Sequence, residues 1–297
     1  MIKTADQDWL TIKVLTSSGK ADEVSTLLEE LGAMAVTYED AADSPILEPL
    51  PGERRLWPQT VVTGLWEQGR DGTSLLLALR TRLGDNIPIS EVKVQDQNWV
   101  RAWMDQFKPI ACGNRLWICP SWLEVKEPQA VVVMLDPGLA FGSGSHPTTW
   151  LCLNALDSMD LTGLRVLDFG CGSGILGIAA LKLGAQSCTG VDIDPQALQA
   201  SRSNAERNHI ERSRLKLRSD STSLNEVFAL TVANILLGPL TDLEGEIARL
   251  TDRGGTLLLS GLLKEQSHTV RQAYEKDFEF VEQKESEDWV LLRALRR

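Results

Sequence analysis

The spacing of apolar positions divides the chain into two stretches with different rhythms. In the first, Leu10, Ile12 and Val14 alternate with polar neighbours, as one face of a half-buried strand does. Val24, Leu27, Leu28 and Leu31 then follow the three-and-four spacing of a helix, and Gly32 stands where that helix would stop. Residues 33–38 predict a second strand, 61–66 a third, 74–83 a second helix and 87–94 a fourth strand. The order β-α-β-β-α-β is the split pattern of a ferredoxin-like domain. A helix is expected over 96–107, with Trp99 and Trp103 on one face, and reads as a connection. Two short strands are expected over 116–119 and 130–135.

The second rhythm starts near Arg165. A short apolar run, Val166-Leu167-Asp168-Phe169, leads into glycines and an apolar helix ending near Leu183. A strand over 187–193 and a helix over 195–207 follow. Strands over 230–233 and 256–260 have a helix between them, and 279–283 with 289–294 predict a terminal hairpin. Strand–helix alternation at this spacing implies a mainly parallel sheet with helices on both faces. The expected architecture is therefore α/β: a doubly wound, Rossmann-like sheet with a smaller N-terminal ferredoxin-like α+β domain. The expected boundaries are 1–95 for the small domain, 96–112 for the linker helix and connection, and 113–297 for the large domain.

Composition narrows the function classes. A chain of 297 residues with 43% hydrophobic and 24% charged positions has the balance of a globular protein. No apolar run reaches the roughly 20 residues that span a bilayer, and the first residues lack an apolar leader core, so a cytoplasmic location is expected. Five cysteines without a CxxC pair, and three histidines, argue against a disulfide framework or a zinc site. A net charge of −11 argues against a surface that grips nucleic acid. Neither nucleic acid nor membrane is an expected partner.

The candidate chemistry lies at strand ends. Asp168-Phe169-Gly170-Cys171-Gly172-Ser173-Gly174 closes one strand and opens a helix, where glycines let backbone approach a ligand closely. The spacing G-x-G-x-G differs from the G-x-G-x-x-G of nicotinamide dinucleotide binders, and no GK[ST] follows to make a P-loop. One βα unit later, Asp192 can accept hydrogen bonds from two ribose hydroxyls. Asp194, followed by Pro195, reads as a helix N-cap. Asn234 follows the strand over 230–233 and faces the same crevice. It could orient an amine, hold part of a cofactor, or serve as a turn or cap residue. The segment from Asp136 to Thr149 is rich in glycine and carries Phe141 and His146. Pro147 suits a helix start, which puts Thr149 in a first turn with free amides.

Taken together these motifs resemble the ribosomal protein methyltransferases of the PrmA type, which modify large-subunit ribosomal protein L11. The match covers nearly the whole chain. The glycine loop and Asp192 are shared with Rossmann-like methyltransferases at large, whereas 135–149, Asn234-Ile235-Leu236 and the small N-terminal domain are more particular to this family. The resemblance implies S-adenosylmethionine as cofactor, contacted by Thr149, Gly170, Gly172, Asp192 and Asn234. It places Phe141 and His146 in a loop closing over the cofactor. It further implies methylation of lysine side chains and of the terminal amine of L11, and a substrate-recognising N-terminal domain. For such a reaction Asn234 is the candidate catalytic residue, its amide aiming the amine. Ser143 and Ser145 stand where many relatives have threonine, which keeps a hydroxyl at each position. The alternatives are a methyltransferase acting on another protein or a small molecule, and a cofactor-binding module without turnover.

Overall fold

In Trp9–Ser17 (β1) the even-numbered residues Leu10, Ile12 and Val14 are buried, which is the period-two signature of a strand with one core face. The helix Ala21–Glu30 (α1) buries Val24, Leu27 and Leu28 on the same side. It ends at Gly32, whose φ of 85° lets the amides of Gly32 and Ala33 turn back onto the carbonyls of Glu29 and Leu28. Ala35–Asp40 (β2), Gln59–Trp66 (β3), the helix Gly72–Leu83 (α2) and Ile89–Val94 (β4) complete the pattern. Asp71 caps α2 by accepting from the Thr73 amide at 3.0 Å. The sheet order is β2-β3-β1-β4 with antiparallel neighbours, the arrangement expected of a ferredoxin-like domain. Leu28 and Leu79, both fully buried, contribute on the order of 2 kcal/mol each to its core.

The computed structural model describes residues 9–42, 56–67, 69–84, 86–94, 107–136 and 144–297. The helix expected over 96–107, with Trp99 and Trp103, lies outside the described residues save for Phe107, which is not helical. The chain divides into two units, Met1–Gln106 and Phe107–Arg297.

The second unit opens with a small three-stranded sheet of Ile110–Ala111 (β5), Leu116–Cys119 (β6) and Val131–Met134 (β7). The helix Pro147–Asp157 (α3) follows. Then come Arg165–Phe169 (β8), the helix Ile175–Lys182 (α4), Ser187–Val191 (β9), the helix Pro195–Arg207 (α5) and Leu215–Arg218 (β10). After Phe228–Asn234 (β11), a single helix was the expectation. Two short ones form instead, Leu237–Asp242 (α6) and Glu244–Leu250 (α7), because Leu243 between them has φ −101° and interrupts the helical path. Thr251–Leu263 (β12), the helix Ser267–Tyr274 (α8) and the hairpin Phe278–Ser286 (β13) with Trp289–Arg296 (β14) end the chain.

The seven strands are ordered β10-β9-β8-β11-β12-β14-β13, parallel from β10 to β12 and antiparallel at the last two. Alternate residues feed two cores. Val166, Leu230, Val232 and Leu258 pack with α3 and α4, whereas Leu167, Phe169, Leu257 and Leu259 pack with α7 and α8. Strand order reverses between β8 and β11. At such a reversal neighbouring connections leave toward opposite faces, which opens a crevice at the carboxyl ends. Among the described residues no helix is long and apolar enough to cross a membrane.

Candidate active site

The carboxyl ends of β8, β9 and β11 bring the candidate residues to that crevice. Gly170, Gly172 and Gly174 have φ of 74°, 52° and 77°, a left-handed alternation that only glycine adopts without strain. The amides of Gly170 and Cys171 both donate to the Val191 carbonyl, at 2.8 and 3.0 Å, which ties the loop to the end of β9. From α5, Ser201 Oγ donates to the Gly172 carbonyl at 2.8 Å and Asn204 Nδ2 to the Ser173 carbonyl at 2.9 Å. These bonds engage the loop's carbonyl groups from the helix side.

Asp168 lies beneath the loop, only 2% exposed. Its Oδ2 accepts from the Gly177 amide in the first turn of α4 at 2.8 Å, and its Oδ1 is buried without a partner among the described residues. Burial pushes its carboxyl up to about 7 against the opposing Gly177 bond, and the nearby Asp192 charge adds to the rise. Asp192 accepts the Gly172 amide on Oδ2 at 2.8 Å and the Asp194 amide on Oδ1 at 3.0 Å. Each oxygen keeps a second lone pair for a ligand hydroxyl. Asp194 is the N-cap of α5 as its sequence context predicts, accepting from the Gln196 amide at 2.8 Å with Pro195 next to it.

The strand expected to run to residue 193 stops at Val191. The two bonds to Asp192 turn the chain outward there and leave Ile193 90% exposed. An isoleucine so exposed beside the crevice is an apolar platform that periodicity alone assigned to the strand. Its position between two acidic residues was the available signal.

Asn234 ends β11, and its Nδ2 donates to Thr149 Oγ1 at 3.3 Å, while its Oδ1 is buried without a partner among the described residues. Thr149 is buried in the first turn of α3, as Pro147 predicted. His146 caps that helix: its Nδ1 accepts from the Thr148 amide at 3.3 Å, and its ring and that of Trp289 meet in a T-shaped arrangement with centroids 4.8 Å apart. Burial lowers the His146 pKa, and the Glu287 charge acts in the other direction. Phe141 lies outside the described residues.

The structure thus joins Gly170, Gly172 and Asp192 through one hydrogen-bonded loop, and Thr149 and Asn234 through another bond. His146 is linked to the second pair by the helix it caps. The supports from Ser201 and Asn204 escaped the sequence reading, because α5 is amphipathic and its polar positions resemble a solvated face. Cys171 in the loop is not an activated nucleophile, since burial first and the Asp168 charge second push its thiol up. The site offers acidic acceptors, a glycine cradle and an unsatisfied amide oxygen, a set suited to binding and orienting a ligand rich in hydroxyl and N–H donors.

A family model described as ribosomal protein L11 methyltransferase (PrmA) matches residues 8–297. A protein of Shewanella sp. (strain W3-18-1) named ribosomal protein L11 methyltransferase is 50% identical over 292 residues, covering 97% of this chain and 99% of the relative. A protein of the same name from Mannheimia succiniciproducens is 49% identical over 284 residues, 95% of this chain and 97% of its own length. Among solved structures, the ribosomal protein L11 methylase of Lactobacillus delbrueckii subsp. bulgaricus is similar at 33% identity with a TM-score of 0.60, over 64% of this chain and all of the other.

Proposed function

The chain belongs to the ribosomal protein L11 methyltransferase family, and from that membership and the site geometry we propose that it transfers methyl groups from S-adenosylmethionine to amines of ribosomal protein L11. The acceptors in this reading are lysine side chains and the terminal amine. The observation that carries it is the convergence, at the point where strand order reverses, of the glycine loop, Asp192 and an Asn234 whose Oδ1 has no partner among the described residues.

The residues present fit the cofactor. The glycine loop and the first turn of α4 form a cradle without side chains at three alternate positions. Asp192 would take the ribose hydroxyls on its free lone pairs, and the exposed Ile193 beside it offers an apolar face to an aromatic base. Thr149, Gly170, Gly172 and Asn234 would line the remainder, with Phe141 and His146 in the segment over them. When bound, S-adenosylmethionine supplies an electrophilic methyl group on a positively charged sulfur.

The chain's own part is to prepare the nucleophile. A lysine amine has a pKa of about 10.4 in water and arrives charged, without a lone pair. Partial burial favours the neutral form. Asn234 Oδ1 accepts one N–H of the neutral amine and thereby fixes the direction of its lone pair. The proton leaves to water before the site closes, and orientation alone is worth several kcal/mol, up to about 7–11 for a well-aligned pair. The domain over 1–95 would hold the substrate and 96–112 would connect it to the catalytic domain. In this reading the reaction takes place in the cytoplasm.

The test uses S-adenosylmethionine with a labelled methyl group, purified L11 and peptide mass mapping. Label on lysine side chains and the terminal amine supports the reading. Label confined to another class of side chain, or found only on another protein, overturns the acceptor or the substrate.

A further inference from the structure

Gly170 and Gly261 lie on opposite sides of the turn that follows β11. Gly170 closes β8, and Gly261 sits at an irregularity of β12 where the register shifts between Leu259 and Leu262. Strands β8 and β12 flank β11 in the sheet. Both glycines have positive φ, 74° and 85°, and both leave room for the same residue, Ile235. A Cβ on Gly170 would run into Ile235 Cγ2. A Cβ on Gly261 would collide with the Ile235 carbonyl oxygen, with its carbonyl carbon at 2.8 Å and its amide nitrogen at 3.0 Å.

One residue is therefore gripped by its side chain on one side and by its backbone on the other, directly after Asn234. Ile235 is also part-buried against the core that holds α7 and α8. A β-branched side chain has few χ1 choices, so the grip is stiff. Among the described residues, Asn234 has its own side chain tied at one end only, through Nδ2 to Thr149. The direction of its other end depends on how the backbone at 234–235 is held.

We propose that Ile235 is a positioning residue for methyl transfer: wedged between Gly170 and Gly261, it sets the direction in which Asn234 presents its carboxamide oxygen to the acceptor. The assignment rests on the methyltransferase reading above. The contact with Gly170 is made by the Cγ2 methyl, which valine keeps and leucine lacks. A role in packing alone makes the opposite distinction, because leucine preserves volume and valine does not.

The experiment compares Ile235→Val and Ile235→Leu in the full chain. It follows kcat for L11 methylation, KM for S-adenosylmethionine, the melting temperature and the side-chain amide NMR resonance of Asn234, assigned by its loss in Asn234→Ala. The Val variant should match the parent in kcat and in the resonance. The Leu variant should keep the melting temperature and the cofactor KM, lose about tenfold in kcat and shift the resonance. A Leu variant with the parent's Asn234 resonance and kcat overturns the proposal. If the parent itself does not methylate L11, the substrate reading fails, and the Asn234 resonance in the two variants still decides whether Ile235 sets the amide.

Discussion

Asn234 and Thr149, separated by 85 positions in sequence, meet in a single hydrogen bond of 3.3 Å from the asparagine amide nitrogen to the threonine hydroxyl. The bond leaves the Asn234 Oδ1 buried and, among the described residues, unpartnered. A buried acceptor without a donor costs about 1–3 kcal/mol, a cost that a bound N–H donor removes.

Replacing Thr149 by Val removes the acceptor and keeps the shape. The Asn234 amide nitrogen then loses its partner, and kcat/KM should fall about tenfold, equivalent to about 1.4 kcal/mol. Thr149→Ser, which restores the hydroxyl, should recover most of the loss in steady-state kinetics. Equal values for both variants would mean that the hydroxyl does not hold Asn234.

Asp192 serves the loop and the ligand together, through the Gly172 amide and its remaining lone pairs. Asp192→Ala should weaken S-adenosylmethionine binding by about 10–100-fold, the loss of hydrogen bonds to a charged acceptor. Calorimetric titration measures it directly. Affinity within about twofold of the parent would remove Asp192 from the site.

Asp168 links stability to pH. Its folded-state pKa of about 7 stands above the ordinary 3.8, so its contribution is favourable below 3.8 and is lost as pH rises through about 7. Asp168→Asn keeps an oxygen for the Gly177 amide and cannot ionise. The stability of this variant relative to the parent should therefore rise across that window. The rise from 3.8 to about 7 caps the effect at about 4 kcal/mol. Denaturant unfolding at about pH 4 and about pH 8 is the measurement, and a difference independent of pH would contradict it.

His146 acts with the opposite dependence. Its cap on α3 needs an unprotonated Nδ1, and burial holds its pKa below 6.5. Its contribution is present above 6.5 and is lost as pH falls through the lower folded-state value. His146→Asn, which caps without titrating, should flatten the acid side of the melting-temperature profile, by about the 1 kcal/mol that a cap provides. A variant profile as steep as the parent's would rule the cap out as the cause.

Several features of the fold were legible because their signals are local. The helix α5 is bounded by Asp194-Pro195 at one end and by its apolar spacing, and it forms at the expected residues. The small N-terminal sheet forms over the four runs that predict strands, the first of them marked by the alternation of Leu10, Ile12 and Val14. The strand β10 was not legible: Leu215 and Leu217 alternate with Lys216 and Arg218 over only four residues on a sheet edge, too short to stand out from a loop. The helix α8 buries only Val270 and Tyr274, so its apolar stripe is thin.

In the site, the glycine loop and Asp192 could be read from spacing within one βα unit. The burial of Asp168, the carbonyl contacts from Ser201 and Asn204, and the wedge of Ile235 between Gly170 and Gly261 depend on strands brought together by the sheet. No local pattern encodes them.

The most direct test of the account is the intact mass of purified ribosomal protein L11 after incubation with this protein and S-adenosylmethionine, beside the same reaction with Asp192→Ala. The account predicts mass increments of whole methyl groups with the parent and little or none with the variant. An unchanged L11 mass with a parent protein that binds the cofactor would contradict it.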